Sequence, residues 1–164
     1  YIPSLQALRD YDEGTLSDSE STGNAPVWQL THVDAQAIIA RARSEFPQDR
    51  LFGLENGDKL KSVVATIYQS FAGEDLYQTT EQKAANLLYL MVKDHPLVDG
   101  NKRSAAALFI EFLSRNNLLF SADGTPLVSN NALAAMTLMV AMSNPKEKDL
   151  MVALVERLIS PVAH

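Results

Sequence analysis

Ten residues, HPLVDGNKRS at 95–104, bring together a histidine, an acid four positions later, then a glycine, an amide and two adjacent cations. Pro96 disfavours helical backbone in the residue before it, so a helix entering this stretch ends near His95. Gly100 permits a tight turn, or a close approach that no side chain would allow. A helix restarting at Gly100 or Asn101 has first-turn N–H groups without partners inside the helix. With the positive end of the helix dipole they form an anion site. Lys102 and Arg103 fall in that first turn, the wrong sign for the dipole, and the placement makes most sense opposite a bound anion. Phosphate fits, because arginine grips it through two parallel hydrogen bonds. A carboxylate beside phosphates, here Asp99, points to Mg²⁺ shared with phosphate oxygens. Histidine titrates near working pH, which makes His95 the candidate base for an attacking hydroxyl. As a set, these residues describe transfer of a phosphate-containing group to a nucleophile.

Spacing alone leaves a plainer reading open. A His before a Pro is often a helix end, Asp-Gly is a common turn, and cations at a helix start can simply be solvated. The stretch is not a P-loop, since Gly-Lys-Ser/Thr is missing, and no Asp follows Asn101-Lys102 at Ser104 to suggest guanine reading. A metal set of His95, Asp99 and His32 has neither HExxH nor Cys/His spacing behind it.

The elements around the stretch are helical. Leu87, Leu88, Leu90 and Met91 precede it, and Ala106, Leu108, Phe109, Phe112 and Leu113 follow. These segments read as two largely buried helices joined at the polar loop, and buried polar groups need partners that the fold or a ligand must supply. Upstream, Thr31 with Asp34 starts a helix that runs to about Phe46 and stops at Pro47. Leu60, Val63, Val64, Ile67 and Phe71 repeat at helical spacing over residues 59–71. FAGEDLYQ, residues 71–78, allows a short hairpin at most, and Thr79 with Gln82 starts the first of the two buried helices. Downstream, Asn130 is the expected cap of a helix ending before Pro145, and a last helix covers about 146–159. There is no internal repeat. The expected fold is all-α and compact, with about six helices. Residues 1–30 read as an arm or linker, with a short helix in 1–12 and a polar loop after it, and residues 31–164 as the helical domain.

Bulk properties narrow the classes. The chain has 164 residues, is 46% hydrophobic and carries a net charge of -6, which fits one domain with a core and argues against a general nucleic-acid binder. No window of about 20 apolar residues exists, so no membrane span is expected. The absence of cysteine excludes disulfides and thiolate metal sites and suits a reducing, cytoplasmic setting. The chain opens at Tyr1 rather than Met, which reads as a processed product or a piece of something longer.

HPLVDGNKRSAAALFIEFL resembles the signature of the Fic/Doc (Fido) family, roughly His-Pro-Phe-x-Asp/Glu-Gly-Asn-Gly/Lys-Arg. The match falls on His95, Pro96, Asp99, Gly100, Asn101, Lys102 and Arg103, and the wider likeness spans about residues 51–120. The context is similar to the Doc-like branch found attached to RhuM-like bacterial proteins. The resemblance implies an α-helical domain with a short β-hairpin flap that moves AMP, or another phosphate-containing group, from ATP to a Ser, Thr or Tyr hydroxyl of a target protein. His95 would deprotonate the target, Asp99 would hold Mg²⁺, and the amides around Gly100 to Lys102 would cradle phosphates. Asn101 would shape the anion hole and Arg103 would bind a distal phosphate. The flap, which would dock the target by strand addition, corresponds to Phe71, Ala72, Gly73, Glu74, Asp75, Leu76 and Tyr77.

Two departures bear on the reaction. Leu97 stands where the family usually has Phe, and Lys102 where AMP-transferring members have Gly. Lys at that position resembles Doc, which transfers the terminal phosphate, although Doc-like sequences usually carry Ala in place of Gly100. Many members are restrained by a Ser/Thr-x-x-x-Glu-Gly/Asn helix, and neither Glu13-Gly14 nor Glu55-Asn56 fits that pattern. An antitoxin-like partner is therefore expected to supply the restraint, or a segment outside this chain. Homo-oligomerisation stays open. The competing classes are a partner-docking module that keeps the nucleotide pocket without turnover, and a regulatory domain of a DNA-binding protein. Trp28, Tyr68, Tyr77 and Tyr89 read as core or interface aromatics, and Met136, Met139, Met142 and Met151 as core filling. His32 and His164 have no motif around them, and residues 146–149 read as a solvated helix start.

Overall fold

The computed structural model describes residues 23–160. The expected helix in residues 1–12, most of the polar loop after it, and His164 lie outside the described residues. Among the described residues, six α-helices run in chain order: α1 (His32–Ser44), α2 (Lys59–Ile67), α3 (Thr80–Lys93), α4 (Asn101–Arg115), α5 (Asn130–Met142) and α6 (Lys148–Ile159). A 3₁₀ turn, Pro145–Glu147, leads into α6, and a hairpin of β1 (Ser70–Phe71) and β2 (Glu74–Asp75) separates α2 from α3. Among the described residues, no helix is long and apolar enough to cross a membrane.

Side-chain caps set several of the helix starts. The Thr31 hydroxyl accepts the Asp34 N–H while the Asp34 carboxylate accepts the Thr31 N–H, a reciprocal box that satisfies two otherwise orphaned donors. Thr79 and Gln82 repeat the arrangement at α3. Ser129, not Asn130, caps α5 through the Ala132 N–H, because Asn130 is already helical. The first helix ends at Ser44, short of the expected Phe46, and the chain turns so that Phe46 stacks on Phe52 with ring centroids 5.6 Å apart.

The apolar spacing of α2 holds for Leu60, Val63, Val64 and Ile67, all buried, but fails at Phe71. Helix α2 stops at Tyr68, whose hydroxyl accepts the Leu30 N–H at 2.5 Å; burial pushes this phenol up to about 12. Phe71 instead lies on the hairpin, 82% exposed. Ser70 pairs with Asp75 and Phe71 with Glu74, joined by Ala72 and Gly73 at φ 54° and 84°. Positive φ at both central residues is the type I′ turn, whose twist matches paired strands.

Helix α3 is the centre of the molecule: twelve of its residues are buried, and it packs against α2, α4, α5 and α6. Helix α4 covers it with Leu108, Phe109, Phe112 and Leu113. This buried antiparallel pair is the hairpin expected on either side of the polar loop. Met136 and Met151 fill the core as expected, whereas Met142, the last residue of α5, is 85% exposed. Residues 24–30 are tied to the domain rather than free of it. Asn24 donates to the buried Glu81 carboxylate, the Val27 and Trp28 N–H groups share Asn116 Oδ1, and Leu30 is a core residue. The Thr79 cap opens the central helix, so Thr79→Ala is expected to lower the unfolding free energy by about 1 kcal/mol. Chemical denaturation measures it, and an unchanged midpoint would contradict the capping assignment.

Candidate active site

The polar loop runs from the end of α3 to the start of α4. Asp94 caps α3, and His95 follows at φ 49°. That is the left-handed position where a helix commonly ends on glycine. A side chain there costs roughly 1–2 kcal/mol, so the histidine persists because the surroundings hold it. Pro96 then prevents the helix from resuming. Leu97, 2% exposed, pins the loop into the core where the family signature has Phe.

The amide of Asn101 is committed to the loop itself: Oδ1 accepts the Leu97 N–H and Nδ2 donates to the Leu97 carbonyl, both at 2.9 Å. Its contribution to the site is bracing of the loop backbone. A second brace comes from residues 52–56, which run beside the loop. Gly53 N–H donates to the Asp99 carbonyl, Val98 N–H to the Leu54 carbonyl and Asn56 N–H to the Pro96 carbonyl, at 3.1, 2.8 and 2.9 Å. The Asn56 side chain adds a longer bond to the His95 carbonyl, 3.4 Å. Glu55 is fixed in turn by Gln36 at 2.7 Å and His32 at 2.8 Å. The Gln36 bond, with help from His32, holds its carboxyl below the usual range despite partial burial. His32, without a motif in the sequence, is thus a support of this brace.

Gly100 caps α4 in left-handed conformation, φ 82°, directly against the fully buried Phe52 ring. A Cβ at this position would lie 2.6 Å from ring carbon Cδ2. The glycine therefore has two independent causes, backbone conformation and contact. No side chain among the described residues caps this end of α4, and no acid lies in its first turn. A cleft of about 440 Å³ at the start of α4 is lined by His95, Asp99, Gly100, Asn101, Lys102 and Arg103 and walled by Val92, Lys93 and Ala141. All six sequence-predicted residues of the loop thus meet around one cavity. His95, Asp99 and Lys102 are exposed, and Arg103 is partly buried with Nη1 2.8 Å from Asp49 Oδ2. Lys93 bonds the carbonyls of Ala141 and Ser143, which ties the end of α3 to the end of α5 across the cleft wall.

A divalent cation finds one carboxylate here, Asp99. Among the described residues no three His, Cys, Asp or Glu side chains converge. That donor set does not make a protein cage, but it fits Mg²⁺ carried mainly by phosphate oxygens and water. The predicted flap lies apart from this loop in sequence. Its strands are exposed along both faces, and Phe71 and Leu76 project from it. It is anchored underneath by Lys83, 1% exposed, which is 3.1 Å from Asp75 Oδ2, donates to the Tyr77 carbonyl and lies over the Tyr68 ring.

Sequence reasoning singled out neither residues 52–56 as a brace nor Asp49, Phe46 and Phe52 as site residues. The available signal was two phenylalanines six positions apart, flanking the short run PQDRL.

A family model described as the Fic/DOC family matches residues 29–113. Over 64 residues the chain is 44% identical to a protein named Toxin Doc from Mycolicibacterium smegmatis, a stretch that covers 39% of this chain and 49% of that protein. The chain therefore matches about half the length of this curated relative. No solved structure matches. For the geometry, the sharpest check is Gly100→Ala: contact with Phe52 and positive φ together are expected to cost about 2 kcal/mol or more. Gly100→Ala combined with Phe52→Leu should destabilise by less than the two single changes added together; strict additivity in denaturation would contradict the contact.

Proposed function

This chain belongs to the Fic/DOC family, and from that premise we propose that it transfers a phosphate-containing group from ATP to a hydroxyl side chain of a target protein. The observation that carries the reading is the convergence, on one cleft, of an uncapped helix start, two cations, a carboxylate and a histidine. In this proposal the N–H groups of Asn101 and Lys102 receive phosphate oxygens, as an open helix N-terminus does. Arg103 adds a charge-assisted grip. Asp99 would hold Mg²⁺ together with the phosphates, and the ion would supply neutralisation of the charge that develops on them. His95, held at the loop's rim by the brace on its own carbonyl, accepts the proton of the target hydroxyl as its oxygen bonds to phosphorus. The bond from the attacked phosphorus to the bridging oxygen breaks and its electrons leave with that oxygen, on pyrophosphate in AMP transfer and on ADP in phosphate transfer.

AMP is the leading transferred group. Phosphate transfer is the second form, favoured by Lys102, whose exposed side chain sits in the first turn of α4 where it meets the polyphosphate. The flap is proposed to align the target backbone: a two-stranded hairpin leaves strand edges open for pairing. Likeness to a protein named as a toxin supports a toxin-like role with an antitoxin-like partner as its restraint.

Incubation with Mg²⁺, labelled ATP and lysate should label a protein, and His95→Ala should reduce this by two orders of magnitude or more, about the contribution of a positioned base. Intact-mass measurement then separates an AMP increment from a phosphate increment. Labelling that persists at the wild-type level in His95→Ala contradicts the assigned base. ATP binding without labelling favours the docking-module alternative.

A further inference from the structure

Arg103 enters the cleft with its guanidinium already held on more than one side. Nη1 bonds Asp49 Oδ2 at 2.8 Å. The guanidinium carbon lies 4.3 Å from the Phe46 ring centroid and 4.5 Å from that of Phe52. All three contacts come from one turn, and they recur at intervals of three residues, at 46, 49 and 52. The same turn carries the ring that supports Gly100 and leads directly into the Gly53 N–H bond to the Asp99 carbonyl. One segment therefore sets both the backbone of the loop and the head of its cation.

Guanidinium presents five N–H donors in a planar fork, and Asp49 engages one edge of it. Arg103 also lines the cleft, so the donors not used by Asp49 remain for an anion there. Two aromatic rings pack against the guanidinium, and the carboxylate ties one of its nitrogens. An arginine held in this way loses less side-chain freedom on gripping a phosphate than an unrestrained one.

We propose that Asp49 is a positioning residue for the phosphate clamp: it acts through Arg103, presenting the remaining guanidinium donors to the polyphosphate. This rests on the nucleotide-transfer reading above. The opposite role, a carboxylate that competes with the ligand for Arg103, is disfavoured by exposure. The Arg103 and Asp49 side chains are 39% and 41% exposed, so water screens the pair and leaves the cation attractive to a polyanion.

The test compares Asp49→Ala, Asp49→Asn and Asp49→Glu with the wild-type chain by two readouts. The first is the ¹⁵N signal of the Arg103 guanidinium, whose Nη rotation slows when the group is held; it needs no nucleotide. The second is the KM for Mg-ATP set against the KM for the target protein. Asp49→Ala is expected to free the guanidinium signal and to raise the KM for ATP about tenfold, the size of one charged hydrogen bond. The KM for the target should stay unchanged, and Asp49→Glu should recover most of both effects. Asp49→Asn should fall between them, and it serves as the test variant if Asp49→Ala does not fold. An unchanged guanidinium signal, or a KM for ATP that falls in Asp49→Ala, overturns the proposal. A wild-type chain that binds no ATP overturns the transfer reading, while the guanidinium signal still decides whether Asp49 holds Arg103.

Discussion

The Phe52 ring lies against Gly100 so closely that a single added carbon would overlap it. Most of what is distinctive about the cleft depends on that contact. It brings residues 52–56 alongside the loop, where three backbone hydrogen bonds and the Asn56 side chain hold a segment that has no secondary structure of its own. Loops of this kind ordinarily run over the surface and move. This one is pinned from below by Leu97, from within by Asn101 and from the side by residues 53, 54 and 56. The left-handed histidine at its entrance is a local cost that this external bracing offsets.

Electrostatics in the cleft run against the local preferences of a helix. The first turn of α4 contains two cations and no acid, and no side chain caps it. Each misplaced charge disfavours the helix by a few tenths of a kcal/mol to about 1 kcal/mol, which the burial of Leu108, Phe109 and Phe112 in the same helix readily outweighs. A fold can therefore keep a helix start electropositive provided the rest of the helix is deeply packed. Glu81, buried against Asn24, and Lys83, buried against Asp75, show the complementary rule at α3: acidic and basic side chains taken into the core are given direct partners. The charges left facing the cleft are those that a ligand can use.

The fold class and the elements that carry the site were legible because their patterns are local. Capping boxes at Thr31 and Thr79, apolar spacing through α2, α3 and α4, and the polar loop between two apolar runs all appear within short windows. The six loop residues that line the cleft were legible in the same way, since they lie within one short stretch of the chain. What escaped was contact between distant segments. Nothing near Asp49 announces an arginine 54 positions away, and nothing near His32 announces Glu55. Phe71 shows the other failure: it fits a helical period, but the chain leaves the helix at Tyr68 to form a hairpin, and tertiary context overrides the period. Met142 likewise continues an apolar spacing past the end of the packed surface.

The central claim is that the start of α4 seats a polyphosphate beneath His95, and a crystal structure with Mg²⁺ and a non-hydrolysable ATP analogue tests it most directly. Phosphate oxygens are expected about 2.7–3.2 Å from the backbone nitrogens of Asn101 and Lys102. Arg103 should contact a second oxygen while still touching Asp49, and the imidazole should face a phosphorus. A nucleotide bound elsewhere, or an imidazole turned away from the phosphates at full occupancy, would contradict it.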